Sequence, residues 1–148
     1  MPVQYRPEGF HAVTPYVMAD DVEKLIEFLT AAFGAEAPEV MRSPGGRILH
    51  AQVKIGDSML MLAGSNPPQW NAQPASFYLY VEDTDGFYHA GVAAGGTSLM
   101  EPADQFYGDR NAGVMDPSGN SWWIATHIED VSPEEMQRRT AEWAKGEA

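Results

Sequence analysis

The sequence predicts an α+β fold in which two tandem βαβββ modules form a curved mixed sheet around a cavity, followed by one more helix. Both halves of the 148-residue chain show the pattern of a strand, a helix and three strands. Residues 16–21 match residues 78–83 in pattern at an offset of 62, and residues 51–55 match residues 111–115 at an offset of 60. A chance similarity of two αβ halves is the alternative. The chain length favours one domain over residues 1–148.

The first module is predicted to span about residues 10–63. A strand over residues 10–18 leads into a helix that begins after Asp20, with Glu23 completing a capping box, and ends at Gly34. Three strands follow, over residues 39–42, 47–55 and 58–63. Alternation in the long strand puts Leu49, Ala51, Val53 and Ile55 on one face, and Ile48, His50, Gln52 and Lys54 on the other.

Residues 64–75 are rich in Pro, Asn and Gln and are predicted to link the modules. The second module is predicted to span about residues 76–128, with a helix capped by Asp83 or Thr84. Its strands are predicted over residues 76–82, 97–101, 111–115 and 121–126, the last two joined by a turn at 116–119. Ser132, Pro133 and Glu135 mark the start of the C-terminal helix, predicted over about 133–145.

The composition limits the classes of function. The net charge of −12 disfavours nucleic acid and membrane partners and favours a cationic ligand, although such a charge also serves plain solubility. The absence of cysteine excludes thiol catalysis and thiolate metal sites. Neither a signal peptide nor a membrane span is visible, so we expect a cytoplasmic protein.

Several short segments carry a resemblance to a known family. They are residues 14–17, 26–28, 32–35, 48–51, 55–58, 101–110, 116–120 and 125–131, including Ile-Leu-His-Ala at 48–51 and Asp-Pro-Ser-Gly-Asn at 116–120. In these segments the chain resembles the vicinal oxygen chelate superfamily of glyoxalases, bleomycin-resistance proteins and extradiol dioxygenases, and within it the PhnB-like branch. The resemblance covers roughly residues 7–140 and is specific for the fold more than for the activity.

The resemblance implies where a metal would be held. Metal-dependent relatives use four ligands, usually His and Glu, and the equivalent positions here are Thr14, Met61, Ser76 and Trp123. Hydroxyl, thioether and indole groups are poor ligands for a divalent ion in an oxygen and imidazole site. We therefore expect neither a metal nor another cofactor.

The module alignment also predicts the residues that face the cavity. The ligand-binding candidates are Tyr16, His50, Gln52, Met61, Tyr78, Tyr80, Arg110 and Trp123, with Thr14, Met18, Met59 and Ser76 on the same side. Aromatic rings and thioethers with a few polar groups are typical of a pocket for an organic molecule, although the same side chains could simply fill the interior. Arg110 is predicted either to bind a carboxylate or to pair with Asp109 or another surface acid.

Three functions remain open. The first is a metal-free protein that sequesters a small organic ligand, cationic or planar, in the manner of bleomycin-resistance proteins. The second is a lyase, isomerase or dioxygenase with a non-standard site, in which His50 is the catalytic candidate; a histidine satisfied within the core is the alternative for that residue. The third is a structural or regulatory homodimer, in which the C-terminal helix docks on a partner subunit through Met136 and Trp143.

Overall fold

In a computed structural model, which describes residues 2–146, the chain forms eight strands and three helices in the predicted order. They are β1 (Tyr16–Ala19), α1 (Val22–Phe33), β2 (Glu36–Arg42), β3 (Ile48–Ile55), β4 (Ser58–Gly64), β5 (Ser76–Tyr80), α2 (Thr84–Ala93), β6 (Thr97–Asp104), β7 (Asp109–Met115), β8 (Ser121–His127) and α3 (Pro133–Gly146).

The two modules build two four-stranded sheets of the same topology. The strand orders are β1-β4-β3-β2 and β5-β8-β7-β6. In each sheet the first strand of the module pairs in parallel with the last, and the remaining pairs are antiparallel. This arrangement confirms the predicted α+β class with two βαβββ modules and a helix after them.

Local hydrogen bonds set the ends of the helices. The side chain of Asp21, not Asp20, accepts from the backbone N–H of Lys24 (3.0 Å) and so caps α1. Gly34 ends this helix with a φ of 67°, a left-handed conformation that glycine adopts without strain. Asp83 caps α2 by accepting from the N–H of Gly86. Ser132 accepts from the N–H of Glu135 ahead of α3, as predicted.

Two details of the first module differ from the prediction. Residues 10–15 form no strand, and the first strand begins only at Tyr16, directly after Pro15, whose nitrogen cannot donate to a ladder. Ile48 is buried and Leu49 is exposed, the reverse of their predicted faces. The cause is a bulge, because the pairing of β2 with β3 shifts register between Met41 and Arg42.

One core holds both modules together. Leu25, Phe28 and Leu29 of α1 pack in a single cluster with Leu62 of the first sheet and Trp122 of the second. Phe33 of α1 contacts the Trp122 ring at a centroid distance of 5.1 Å. Each fully buried side chain of this size contributes about 1.5–3 kcal/mol to folding. The opposite side of each sheet lies away from this core, and we call these sides the first and the second open face.

The C-terminal helix α3 lies on the outside of this core. None of its residues within the described part of the chain is buried. Arg139 fixes it by donating to the carbonyl oxygen of Phe106 (2.9 Å) and to Glu129 (2.8 Å), and the Trp143 ring lies 5.8 Å from that of Phe106. Neither α3 nor another helix between residues 2 and 146 has the length and apolar character needed to cross a membrane.

Candidate functional site

The first open face carries four of the predicted ligand-binding residues. Tyr16 of β1 and Gln52 of β3 both pair in register with Met61 of β4, so their side chains share one side of the sheet. His50 lies next along β3, and its Nδ1 is 3.4 Å from the hydroxyl of Tyr16. The two rings are tilted, with centroids 5.8 Å apart. Met18 of β1 and Met59 of β4 extend the same face in both directions.

The second open face carries three more of the predicted ligand-binding residues. Tyr78 of β5 pairs in register with Trp123 of β8, which in turn pairs with Gly113 of β7. Tyr80 lies two residues after Tyr78 on the same side, and the two phenol rings meet edge to face at 5.2 Å. Because Gly113 has no side chain, the indole of Trp123 lies directly over its backbone: a Cβ there would be 2.5 Å from a ring carbon. This face therefore presents three aromatic side chains, with the two phenol rings in contact and the indole over β7.

A buried carboxylate holds the tyrosines of the second open face. Asp109, at the start of β7, is only 4% exposed. Its Oδ2 accepts hydrogen bonds from the hydroxyls of Tyr78 (2.6 Å) and Tyr80 (2.9 Å). Its Oδ1 lies 2.9 Å from Nδ1 of His127, whose Nε2 lies 2.7 Å from Asp130. One carboxylate thus receives three donors, and both phenol protons are committed to it.

The ionisation of this cluster follows from its hydrogen bonds. Burial raises the pKa of Asp109, but the bonds from Tyr78, His127 and Tyr80 together outweigh burial and hold the pKa below its usual value. Burial and the bond to Asp109 raise the pKa of Tyr78. The bonds to Asp109 and then Asp130 raise the pKa of His127. At neutral pH the cluster is therefore an ionised carboxylate beneath neutral phenols.

The sequence analysis missed two polar residues of this face. Asp109 was considered only as a surface acid, and Asn111 had no predicted role. Asn111 is 3% exposed, and its Nδ2 donates to the hydroxyls of Tyr78 (3.2 Å) and Tyr107 (2.6 Å). Its Oδ1 is the one buried side-chain N or O atom without a hydrogen-bond partner among residues 2–146. The available signal was the alternation of β7, which places residues 109, 111 and 113 on one side.

Arg110 does not belong to either open face, so its predicted place in the ligand-binding set was wrong. It pairs in register with Thr126, on the side of the second sheet that carries α2. Its guanidinium forms a bidentate pair with Asp85 of α2 (2.7 and 2.9 Å) and a third bond with Asp104. The Asp85 bonds, followed by that from Asp104, raise the pKa of Arg110. Arg110 therefore anchors α2 and β6 to β7. This is the predicted alternative in which it pairs with surface acids instead of a ligand.

The four positions at which the resemblance implies metal ligands occur as two separate pairs. Thr14 lies beside Met61 at the first open face, whereas Ser76 and Trp123 lie on the neighbouring strands β5 and β8. Their hydroxyl, thioether and indole groups do not fit a divalent cation. Within the described residues, no group of three or more His, Cys, Asp or Glu side chains is arranged to hold a metal ion.

The two open faces are distinct surfaces of one chain. Each strand finds its hydrogen-bonded neighbours in its own sheet, and the helix-bearing sides of both sheets share the core. The rings remain accessible: Tyr16 is 51% exposed, Tyr78 44% and Tyr80 59%. The predicted lining residues are thus brought together in two groups, Tyr16, His50, Gln52 and Met61 in one, and Tyr78, Tyr80 and Trp123 in the other.

Comparisons with known proteins agree with this architecture. The family model described as Glyoxalase/Bleomycin resistance protein/Dioxygenase superfamily matches residues 9–124, most of the chain. The chain belongs to this superfamily. The glyoxalase/bleomycin resistance protein/dioxygenase fold accounts for both sheets and for the helix packed on each.

Individual relatives do not give the chain an activity. It is 30% identical over 138 residues to the uncharacterized protein Mb0911c of Mycobacterium bovis, covering 85% of this chain and 90% of that protein. Among solved structures, TioX from a Micromonospora species is 22% identical with a TM-score of 0.64, covering 79% of this chain and all of that one (100%). A PhnB protein from Bacillus cereus is also 22% identical, with a TM-score of 0.64 and coverages of 78% and 99%. At these identities the structural neighbours support the fold alone.

Proposed function

We propose that this protein binds a small organic ligand, cationic or planar, without a metal, and sequesters it between two copies of the chain. The observation that carries the proposal is the exposure of ordered aromatic rings on both open faces. Tyr16, Tyr78 and Tyr80 are each about half exposed, although each is held by a hydrogen bond. Aromatic surface that is ordered and left open typically marks a binding site.

A homodimer is the arrangement that would close the site. If the first open face of one copy covers the second open face of its partner, two-fold symmetry repeats the contact and gives two equal sites. Each site would then combine Tyr16, His50 and Met61 from one chain with Tyr78, Tyr80 and Trp123 from the other. Affinity would come from burying the ligand between these faces, with no chemical step required.

Charge and composition support the rest of the proposal. The donors at Thr14, Met61, Ser76 and Trp123 suit an organic ligand better than a metal ion. A chain with a net charge of −12 repels nucleic acid and anionic membranes but attracts cations. The absence of cysteine fits a reducing cytoplasm.

The first experiment measures the assembly and then the ligand. Sedimentation equilibrium should give twice the mass of the chain. A thermal-shift screen of organic cations and planar aromatics should give at least one ligand that raises the melting temperature, because a ligand that binds only the folded state stabilises it. A monomer at micromolar concentration, or a screen without any shift, would contradict the proposal.

The second experiment tests whether the two faces come from different chains. Tyr16→Ala damages the first open face and Tyr80→Ala the second, and both side chains are exposed, so both variants should fold. Each variant alone should bind the screened ligand weakly. A mixed dimer carries one site in which both faces are intact, so a refolded equal mixture should recover about a quarter of the wild-type sites. If mixing the two variants does not restore strong binding, each site is formed by a single chain.

One observation favours a catalytic alternative. His50 is half-buried on the first open face and its imidazole lies against the Tyr16 hydroxyl, an arrangement suited to a general base. If the protein is a lyase, isomerase or dioxygenase of this kind, His50→Ala should abolish turnover, and retained turnover would exclude that role. A dimer held by α3 is a further alternative: in that case, truncation after Val131 would leave a monomer.

A further inference from the structure

The geometry of the second open face points to a substituted ammonium group as the part of the ligand that binds there. We infer that the corner formed by the rings of Tyr78 and Tyr80 holds this cation, on the same open face as Trp123, with the carboxylate of Asp109 at the hydroxyl ends of both rings as the counter-charge. The inference rests on the proposed function and narrows the ligand from any cationic or planar molecule to an organic cation. It is carried by three observations: the ring arrangement, the direction of the hydrogen bonds and one unpaired acceptor.

The rings form a corner rather than a stack. Tyr78 and Tyr80 are nearly perpendicular, with an interplanar angle of 71° and centroids 5.2 Å apart. Trp123 is in direct register with Tyr78 on the neighbouring strand β8, and its indole lies over Gly113 of β7, on the far side of β8. Ring faces carry negative partial charge, so cations bind over the faces of tryptophan and tyrosine. A tetrahedral ammonium group fits a corner of rings, whereas a planar neutral molecule needs a flat surface.

Hydrogen bonds direct the phenol protons of Tyr78 and Tyr80 to a buried carboxylate. Tyr78 and Tyr80 both donate to Oδ2 of Asp109, which leaves only oxygen lone pairs and ring faces toward the ligand. A phenol that donates to a carboxylate becomes more electron-rich, which strengthens the attraction of its ring for a cation. The negative carboxylate, 4% exposed, lies at the hydroxyl ends of both rings and would repel an anionic ligand.

The one polar group of this cluster without a hydrogen-bond partner, Oδ1 of Asn111, is an acceptor like the carboxylate of Asp109. Asn111 uses its Nδ2 for the hydroxyls of Tyr78 and Tyr107, and its buried Oδ1 is left without a donor. An unpaired buried acceptor carries negative partial charge that no neighbour balances. His127 pairs with Oδ1 of Asp109, whereas on the side of Tyr78 the cluster presents Oδ2 of Asp109 and the unpaired Oδ1 of Asn111, and neither of these two atoms has a basic side chain as a hydrogen-bond partner.

The test compares two probes of the same shape and different charge. Choline carries a trimethylammonium group, and 3,3-dimethyl-1-butanol is its uncharged isostere. Both are titrated into the full-length protein, and binding is followed by the indole N–H resonance of Trp123, assigned by its loss in Trp123→Phe. We expect choline to bind about tenfold more tightly than the isostere, the size of a partly desolvated cation–π contact.

Variants test whether the preference for choline comes from the ring corner or from the net charge of the protein. Tyr80→Phe keeps the ring but removes its bond to Asp109, and should reduce the choline preference about two- to threefold. Asp109→Asn should abolish most of it; if that variant does not fold, Tyr80→Phe and Tyr80→Leu decide the question. Tyr16→Leu, the matched change on the first open face, should lower the affinity for both probes by the same factor, because Tyr16 is not bonded to Asp109.

The outcomes are distinguishable. Equal binding of both probes would overturn the inference and leave the proposed ligand-binding function intact, since the corner would then be a neutral surface. A choline preference that survives Tyr80→Phe and Tyr80→Leu would also overturn it, because the preference would come from the overall charge of −12. No response to either probe at millimolar concentration, together with a silent ligand screen, would overturn both proposals.

Discussion

The two open faces occupy equivalent places in modules of the same topology, yet their side chains are held very differently. On the first, the Tyr16 hydroxyl approaches His50 at 3.4 Å, the long limit for a hydrogen bond. On the second, Tyr78 and Tyr80 approach the carboxylate of Asp109 at 2.6 and 2.9 Å. Bonds to an ionised acceptor are short and roughly twice as strong as neutral ones. The second face is thus ordered before any ligand arrives.

This difference suggests that the two modules contribute in different ways to ligand binding. The first open face is rich in flexible thioethers, from Met18, Met59 and Met61, which adapt to the shape of a ligand. The second presents fixed rings whose orientation requires little further ordering on binding, and such preorganisation favours affinity and selectivity. A duplicated fold can therefore supply one adaptable surface and one selective surface to the same ligand.

The largest expected effect is that of removing the carboxylate of the second face. Asp109→Ala leaves the donors of Tyr78, Tyr80 and His127 without their acceptor. Hydrogen bonds to charged groups contribute more than neutral ones, so we expect a loss of about 1.5–3 kcal/mol in the free energy of unfolding. Urea unfolding followed by circular dichroism measures it.

His50→Ala is the matched change on the first face. It removes one long contact, and we expect a loss of less than about 0.5 kcal/mol. If the two variants lose equal stability, the faces are equally ordered and the comparison fails. Far-ultraviolet spectra of both variants under native conditions establish that the fold is retained.

The next effect concerns the space beneath Trp123. Gly113→Ala places a Cβ 2.5 Å from the Trp123 ring and 3.1 Å from Leu99, so the indole must move. Overpacking of this kind destabilises proteins by about 1–3 kcal/mol, and we expect the low end because the indole faces outward. The indole N–H resonance of Trp123 should shift, and choline affinity should fall.

Gln52→Ala is the control for that change. Gln52 pairs with Met61 as Gly113 pairs with Trp123, so it is the equivalent position of the first module. Removing its side chain should shift the indole N–H resonance of Trp123 much less than Gly113→Ala does, because within one chain Gln52 and Trp123 lie on different open faces. An unchanged Trp123 resonance in Gly113→Ala would show that the ring does not depend on the glycine.

The fold was predictable from the sequence because its signals are local. Ser132 and Asp83 as helix caps, Gly34 as a helix end and the turn at 116–119 each act within a few residues. The aromatic residues of the second face were also predictable, since alternation fixes which side of a strand a residue occupies.

The error at Arg110 has a specific cause in register. The sequence alignment matched residues 51–55 with residues 111–115 at an offset of 60, and its extension by one residue pairs His50 with Arg110. The strand pairings instead equate Gln52 with Gly113, an offset of 61. A slip of one residue moves a side chain to the other side of the sheet. With the correct offset, His50 corresponds to Asn111, a residue of the second open face.

The Asp109 cluster could not be predicted because its members are far apart in the chain. Its bonds join residues 31, 29 and 18 positions from Asp109. No local spacing reports such a contact; only the pairing of β5, β7 and β8 brings the groups together. Sequence reasoning thus found the rings of the second face but not the carboxylate that orients them.

The smallest expected effect is a pH dependence that originates at the second open face. Asp109 and Asp130 bond to opposite nitrogens of His127 and raise its pKa. A group whose pKa is raised by folding stabilises the folded state while it is protonated. That contribution is complete below about pH 6.5, the ordinary value for histidine, and is lost as the pH rises through the raised pKa.

The wild-type protein should therefore lose stability relative to His127→Gln between pH 5 and pH 8. Urea midpoints at both pH values measure the difference, and Asp130→Asn, which removes the exposed partner, should reduce it in part. If the two proteins respond to pH alike, the Asp109 cluster does not stabilise the protonated form of His127. The order of the second open face then depends on the phenol hydrogen bonds alone.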